Sequence, residues 1–212
     1  MKLNEKEALR YLGFRGKPAD ADTDEMIREI GGEMLRTLTP KCVYKRYDIK
    51  VLENAVELDG WRIESIKLSR HLRGCKAAYL FAATLGLQAD MMIRRLSALN
   101  MARGTVAHSV ANALIEDYCD EMQAQIAEKE AATGLFLKPR YSPGYGDFAL
   151  ESQNEIFARL ECAKRIGLTL TDTMLMVPFK SVTAVIGVTD APTCTYVKCR
   201  GCANTDCEFR EI

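Results

Sequence analysis

Apolar side chains in the first forty residues recur at helical spacing. In residues 4–13, Ala8, Leu9 and Leu12 form a stripe that Phe14 extends, and Gly13 and Gly16-Lys17-Pro18 end it. Residues 24–38 repeat the pattern with Met26, Ile27, Ile30, Met34, Leu35 and Leu38. Thr23 or Asp22 is placed to cap this helix and Pro40 to close it. Gly31-Gly32 weakens its middle by roughly 1 kcal/mol per glycine relative to alanine. The two segments predict an N-terminal helical pair over residues 1–40.

The period then drops to two. Cys42, Tyr44, Arg46 and Asp48 alternate with Val43, Lys45, Tyr47 and Ile49, and a second strand over 51–58 ends at Asp59-Gly60, a turn signal. Residues 64–73 read as a helix. The apolar run over 77–84, ended by Gly86, suits a buried strand or a buried helix. Residues 88–98 and 102–128 read as helical. In the longer one, Val106, Val110, Leu114, Tyr118, Met122 and Ile126 recur every fourth residue and predict one flank packed on a sheet. Ser152-Gln153-Asn154-Glu155 has the form of a capping box starting a helix to about Arg165, which Gly167 stops. Residues 174–177 and 182–188 read as strands around Pro178-Phe179-Lys180. Without regular βαβ alternation, the pattern predicts an α+β fold: a largely antiparallel twisted sheet flanked by helices. It divides into a helical segment at 1–40, a body at 41–190 and a cysteine-rich tail at 191–212.

Composition narrows the function. Among 212 residues, 29 Lys+Arg balance 29 Asp+Glu, which argues against a nucleic-acid or anionic-membrane binder. No apolar run reaches the length of a membrane span, and residues 1–7 are too charged for a signal peptide's apolar region. A cytoplasmic location is expected, where the 8 cysteines serve as thiols or metal ligands rather than disulfides.

Residues 138–147, Lys-Pro-Arg-Tyr-Ser-Pro-Gly-Tyr-Gly-Asp, cannot form a regular element. Two prolines remove backbone donors and two glycines permit positive φ. Arg140 offers a donor fork for a carboxylate or phosphate, Gly144 lets a ligand approach the main chain, and Tyr145 supplies a ring and a hydroxyl. A plain turn between two elements fits the same composition.

Arg140-x-x-x-Gly144-Tyr145, then Gly167-Leu168-x-Leu170-Thr171, then Met176-x-Pro178-x-x-Ser181-Val182 resemble the activation domain of cobalamin-dependent methionine synthase. The resemblance covers about residues 105–189, and Arg10-Tyr11-Leu12-Gly13 resembles the stand-alone bacterial versions. It implies binding of S-adenosylmethionine and reductive methylation of a cobalt(II) cobalamin. The cobalamin would be carried by methionine synthase or another corrinoid protein, with a flavoprotein or ferredoxin as electron donor. It also implies that Arg140 takes the methionine carboxylate, that Gly144 opens the backbone, that Tyr145 borders the adenosine or sulfonium, and that Ser142 in the same loop joins the contacts. Methyl transfer needs positioning rather than a proton-transfer dyad. The family places an acidic residue on the long helix; here the alignment gives Asn112, with Glu116 one turn later. His108, Asn112 and Glu116 share one helical stripe, which also reads as a solvated polar face. His71 reads as structural.

Cys194-x4-Cys199-x2-Cys202-x4-Cys207 is compatible with a tetrahedral zinc site, and partly with an iron–sulfur run. Free thiols are the alternative. Cys42, Cys75, Cys119 and Cys162 read as small core residues. A second functional reading follows from the tail and Asn112: a metal-binding module that docks on a corrinoid protein without turning over S-adenosylmethionine.

Overall fold

The computed structural model describes residues 1–14 and 17–191. Gly16 and the four tail cysteines lie outside the described residues. In chain order the elements are α1 (Glu5–Tyr11), α2 (Ala21–Thr37), β1 (Lys41–Val51), β2 (Ala55–Leu58), β3 (Trp61–Glu64), α3 (Ile66–His71), β4 (Ala77–Thr84), α4 (Leu87–Leu99), α5 (Met101–Ala131) and β5 (Phe136–Leu137). After residues 138–147 come α6 (Gln153–Leu160), α7 (Cys162–Ile166), β6 (Thr169–Leu170), β7 (Met176–Val177) and β8 (Ser181–Thr189).

Six strands form one antiparallel sheet in the order β3-β2-β1-β4-β8-β5. β4 lies inside it, in register from Ala77 opposite Val188 to Thr84 opposite Ser181. All its residues are buried because both faces of the sheet are covered, which is why its sequence runs apolar without alternation. On one face Tyr79, Phe81 and Ala83 pack with α1, α2, α4 and α5. On the other, Ala78, Leu80 and Ala82 pack with α3, α6, α7 and Phe148. The expected α+β class and helix-flanked antiparallel sheet are what the chain adopts.

Ala8, Ile27, Ile30 and Met34 of the N-terminal helices belong to the same core as β4 and α5. Gly31 leaves room beside this core for the Leu3 side chain, whose Cδ2 a Cβ there would meet. The glycine weakens the helix locally but admits the chain that leads into α1.

Several local expectations are corrected. α2 starts at Ala21, capped by Asp20, whose Oδ1 accepts from Thr23 N at 2.8 Å, so neither Asp22 nor Thr23 is the cap. Residues 61–64 are a strand, and the helix expected at 64–73 is confined to Ile66–His71. Ser152 is itself in helical conformation and its side chain caps nothing. The helix expected to reach Arg165 breaks at Glu161, whose φ is +51°. Met174 has φ +62° and stands outside β7. α5 does not pack on one flank alone: Val106, Ala107, Ser109, Val110, Ala111, Ala113, Leu114 and Ile115 are all buried, because helices as well as the sheet surround its first half.

Candidate functional site

Residues 138–147 are held along the free side of β8. Lys138 N donates to Gly187 O at 2.8 Å, and Tyr141 and Val185 exchange backbone bonds at 2.9 and 2.8 Å. This extended backbone alternates its side chains. Tyr141 points to the α3 side, 5.0 Å from the His71 ring and 6.3 Å from Phe148. Arg140 points to the opposite side, against α5.

There its guanidinium makes three charge-assisted contacts: Nη2 with Glu116 Oε2 at 3.0 Å and Asp120 Oδ1 at 2.6 Å, and Nη1 with Gln123 Oε1 at 3.0 Å. The Arg140 side chain is only 9% exposed. His71 is structural, as read from the sequence, with Nε2 2.9 Å from Pro139 O. Asp147 fastens the far end of the segment by accepting from the Ser65 hydroxyl and from the amides of Ile66 at 2.8 Å and Lys67 at 3.1 Å. Gly146 makes room there: its φ is +63°, and a Cβ would stand 2.8 Å from the Tyr141 hydroxyl. The Ser65 hydrogen bond, followed by the two amides, holds the Asp147 carboxyl below its ordinary value.

A cavity of about 250 Å³ opens beside α5, lined by Tyr11, Asn112, Ile115, Glu116, Phe179, Lys180, Ser181 and Val182. Lys180 is 5% exposed, and its Nζ donates to Asn112 Oδ1 at 2.7 Å. The turn that carries it is pinned on every side. Phe179 N donates to Asp90 Oδ2 at 2.8 Å, Leu85 N to Lys180 O at 2.9 Å, and Ser181 Oγ to Pro178 O at 2.7 Å. Burial pulls the Lys180 ammonium below the ordinary lysine value, with Asp90 acting in the other direction. His108 is also lowered, by burial and then by Lys180. Tyr11 is pushed up to about 12 by burial and then by the field of Glu116.

The structure therefore brings Arg140, Glu116 and Asn112 together along α5. Ser142, Gly144 and Tyr145 continue the loop toward α3, where Tyr145 N donates to Ser142 O at 3.2 Å and Tyr145 is 66% exposed. Of the six expected ligand contacts, Asn112 and Glu116 line the cavity and the four loop residues do not. Sequence reading missed Tyr11, Phe179 and Lys180 as lining residues. Lys180 had a signal, a lysine between a Pro-bearing turn and an apolar strand, but its partner Asn112 lies 68 residues away. Among the described residues no cluster of His, Cys, Asp or Glu could hold a metal. Cys42 and Cys162 are pushed up to about 12 by burial, as inert core thiols are.

The fold is α+β, with a charged cavity between the long helix, the end of α1 and the turn that leads into β8. The chain belongs to the family of the vitamin B12 dependent methionine synthase activation domain, whose model matches residues 74–208. Among solved structures, the crystal structure of the MetH reactivation domain bound to AdoHcy superposes with a TM-score of 0.61 at 17% identity, over 89% of this chain and 67% of that one. No curated protein matches the sequence.

Proposed function

We propose that the chain binds S-adenosylmethionine and presents its methyl group for reductive methylation of a cobalamin held by methionine synthase or another corrinoid protein. The observation that carries this reading is the contact of Arg140, first residue of the Arg140-x-x-x-Gly144-Tyr145 motif, with Glu116 of α5, beside a cavity lined by Asn112 and Glu116. Family membership over residues 74–208 and an AdoHcy-bound structure of the same fold support it. In the reaction, one electron from a flavoprotein or ferredoxin accompanies methyl transfer. The carbon–sulfur bond breaks, a carbon–cobalt bond forms, and S-adenosylhomocysteine leaves.

The chain's own part is to bind and orient. Glu116, held by Arg140, offers a carboxylate to the ligand's ammonium, and a carboxylate accepts several donors at once. The family pattern assigns Tyr145 to the adenosine or sulfonium, and its ring is exposed here. Asn112 contributes hydrogen bonding without charge. No proton needs to move, so rate enhancement comes from alignment of the sulfonium.

The test is a methyl-transfer assay with a cobalt(II) corrinoid protein, a reductant and methyl-labelled S-adenosylmethionine. Label on the corrinoid that depends on this chain is expected. Transfer at the background rate refutes the reading. A metal held by Cys194, Cys199, Cys202 and Cys207 is a separate proposal that rests on spacing alone. Elemental analysis of chelator-free protein decides it, with metal-free preparations counting against it.

A further inference from the structure

The S-adenosylmethionine reading leaves open which cation receives the ligand's carboxylate. Arg140, the residue that the family pattern offers, already contacts Glu116, Asp120 and Gln123. The cavity wall contains a second cation, and its surroundings differ. Lys180 donates to a neutral amide, Asn112, and makes no ion pair among the described residues; Asp90 is the carboxylate whose field reaches it. An ammonium has three donors, and a buried one without a counter-ion is costly. The backbone of its turn is fixed by bonds to Asp90, Leu85 and Pro178, which sets where the side chain enters the cavity.

Along α5, Asn112 and Glu116 are one turn apart, a Cβ separation of about 5–6 Å. The cavity wall thus carries a cation, Lys180 against Asn112, and a carboxylate, Glu116, one helical turn further along α5. At about 250 Å³ it is smaller than the roughly 300–1,000 Å³ of clefts that enclose a whole drug-sized ligand. Its volume suits an amino-acid headgroup rather than a whole nucleoside, and the 55% exposed Phe179 stands at its wall.

We propose that Lys180 and Glu116 form a zwitterion subsite, Lys180 binding the α-carboxylate and Glu116 the α-ammonium of the methionyl tail. Arg140 is then a positioning residue that fixes Glu116. This rests on the S-adenosylmethionine reading, but the subsite can be read alone with free L-methionine.

The experiment titrates the full chain, native and Lys180→Met, with S-adenosylmethionine, with its decarboxylated analogue and with L-methionine. Lys180→Gln serves as the second variant, and melting curves confirm folding of both. The native chain is expected to prefer the carboxylated ligand by about tenfold, the size of one charge-assisted hydrogen bond. Both variants should lose that preference while keeping their affinity for the decarboxylated analogue. Variants that keep the native preference, or that lose both ligands equally, overturn the subsite while the S-adenosylmethionine reading stands. Methionine binding that depends on Lys180, without binding of either nucleoside ligand, keeps the subsite and sinks that reading. Binding of none of the three by the native chain overturns both.

Discussion

Arg140 Nη2 lies 3.0 Å from Glu116 Oε2, joining the sheet-edge loop to the middle of the longest helix. The contact sets the angle of a carboxylate in the cavity wall and, with the backbone bonds to β8, holds the loop in place. Breaking a buried ion pair costs about 3–5 kcal/mol when one charge is left stranded. Here Glu116 is 30% and Asp120 63% exposed, so water recovers part of that. Arg140→Ala should cost about 2 kcal/mol in urea denaturation. Arg140→Lys, which lacks the fork, should recover only part of it.

Lys180 should show the opposite sign. Its ammonium loses hydration on burial, so its folded pKa lies below its unfolded one. Between those values the unfolded chain binds more protons, and stability rises with pH up to the ordinary value of 10.5. Lys180→Met removes that cost, and water in the open cavity can take over Asn112 Oδ1. The variant should be about 1 kcal/mol more stable at pH 7. Its denaturation midpoint should rise less than the native one as pH approaches 10.5.

Asp147 tests the anchoring of the loop. Its carboxyl is held below 3.8 chiefly by the Ser65 hydroxyl. A depressed carboxyl stabilises the fold above its unfolded pKa, and that contribution is lost as pH falls through the folded value. The Ile66 and Lys67 amides should therefore lose protection, relative to their intrinsic exchange rates, only in acid. In Asp147→Ala they should exchange faster at neutral pH as well, with little change in the β4 amides.

Gly104 lies where α4 and α5 approach closely. A Cβ there would stand 2.7 Å from Ser97 Cα, a backbone atom that cannot swing away. Helix propensity favours alanine by about 1 kcal/mol, but overpacking of this kind costs about 1–3 kcal/mol. Gly104→Ala should be neutral to about 2 kcal/mol destabilising by thermal melting, whereas a solvent-facing helix glycine replaced by alanine would stabilise.

Where a segment's own residues determine its structure, the sequence was readable. β4 and β8 were apparent as short apolar runs, and α4 and α5 as long periodic segments flanking the break at Asn100. The loop announced itself through Pro139, Pro143, Gly144 and Gly146. Where distant partners decide, it was not. Nothing near Ser152 shows that the preceding turn is already helical, and nothing near Glu161 requires a left-handed residue. The two-sided burial of α5 depends on α1, α2 and α4 arriving from elsewhere. The candidate site divides the same way: the Arg140 motif and the helical stripe of Asn112 and Glu116 were visible as patterns, whereas the pairing of Lys180 with Asn112 joins residues 68 positions apart and no local pattern specifies it.

Calorimetric titration of the native chain with S-adenosylmethionine at neutral pH probes the proposed role most directly. Saturable binding at one site per chain is expected, weakened about tenfold in Glu116→Gln, which no longer offers a charge to the ammonium. A native chain that shows no saturable binding up to millimolar ligand would contradict it.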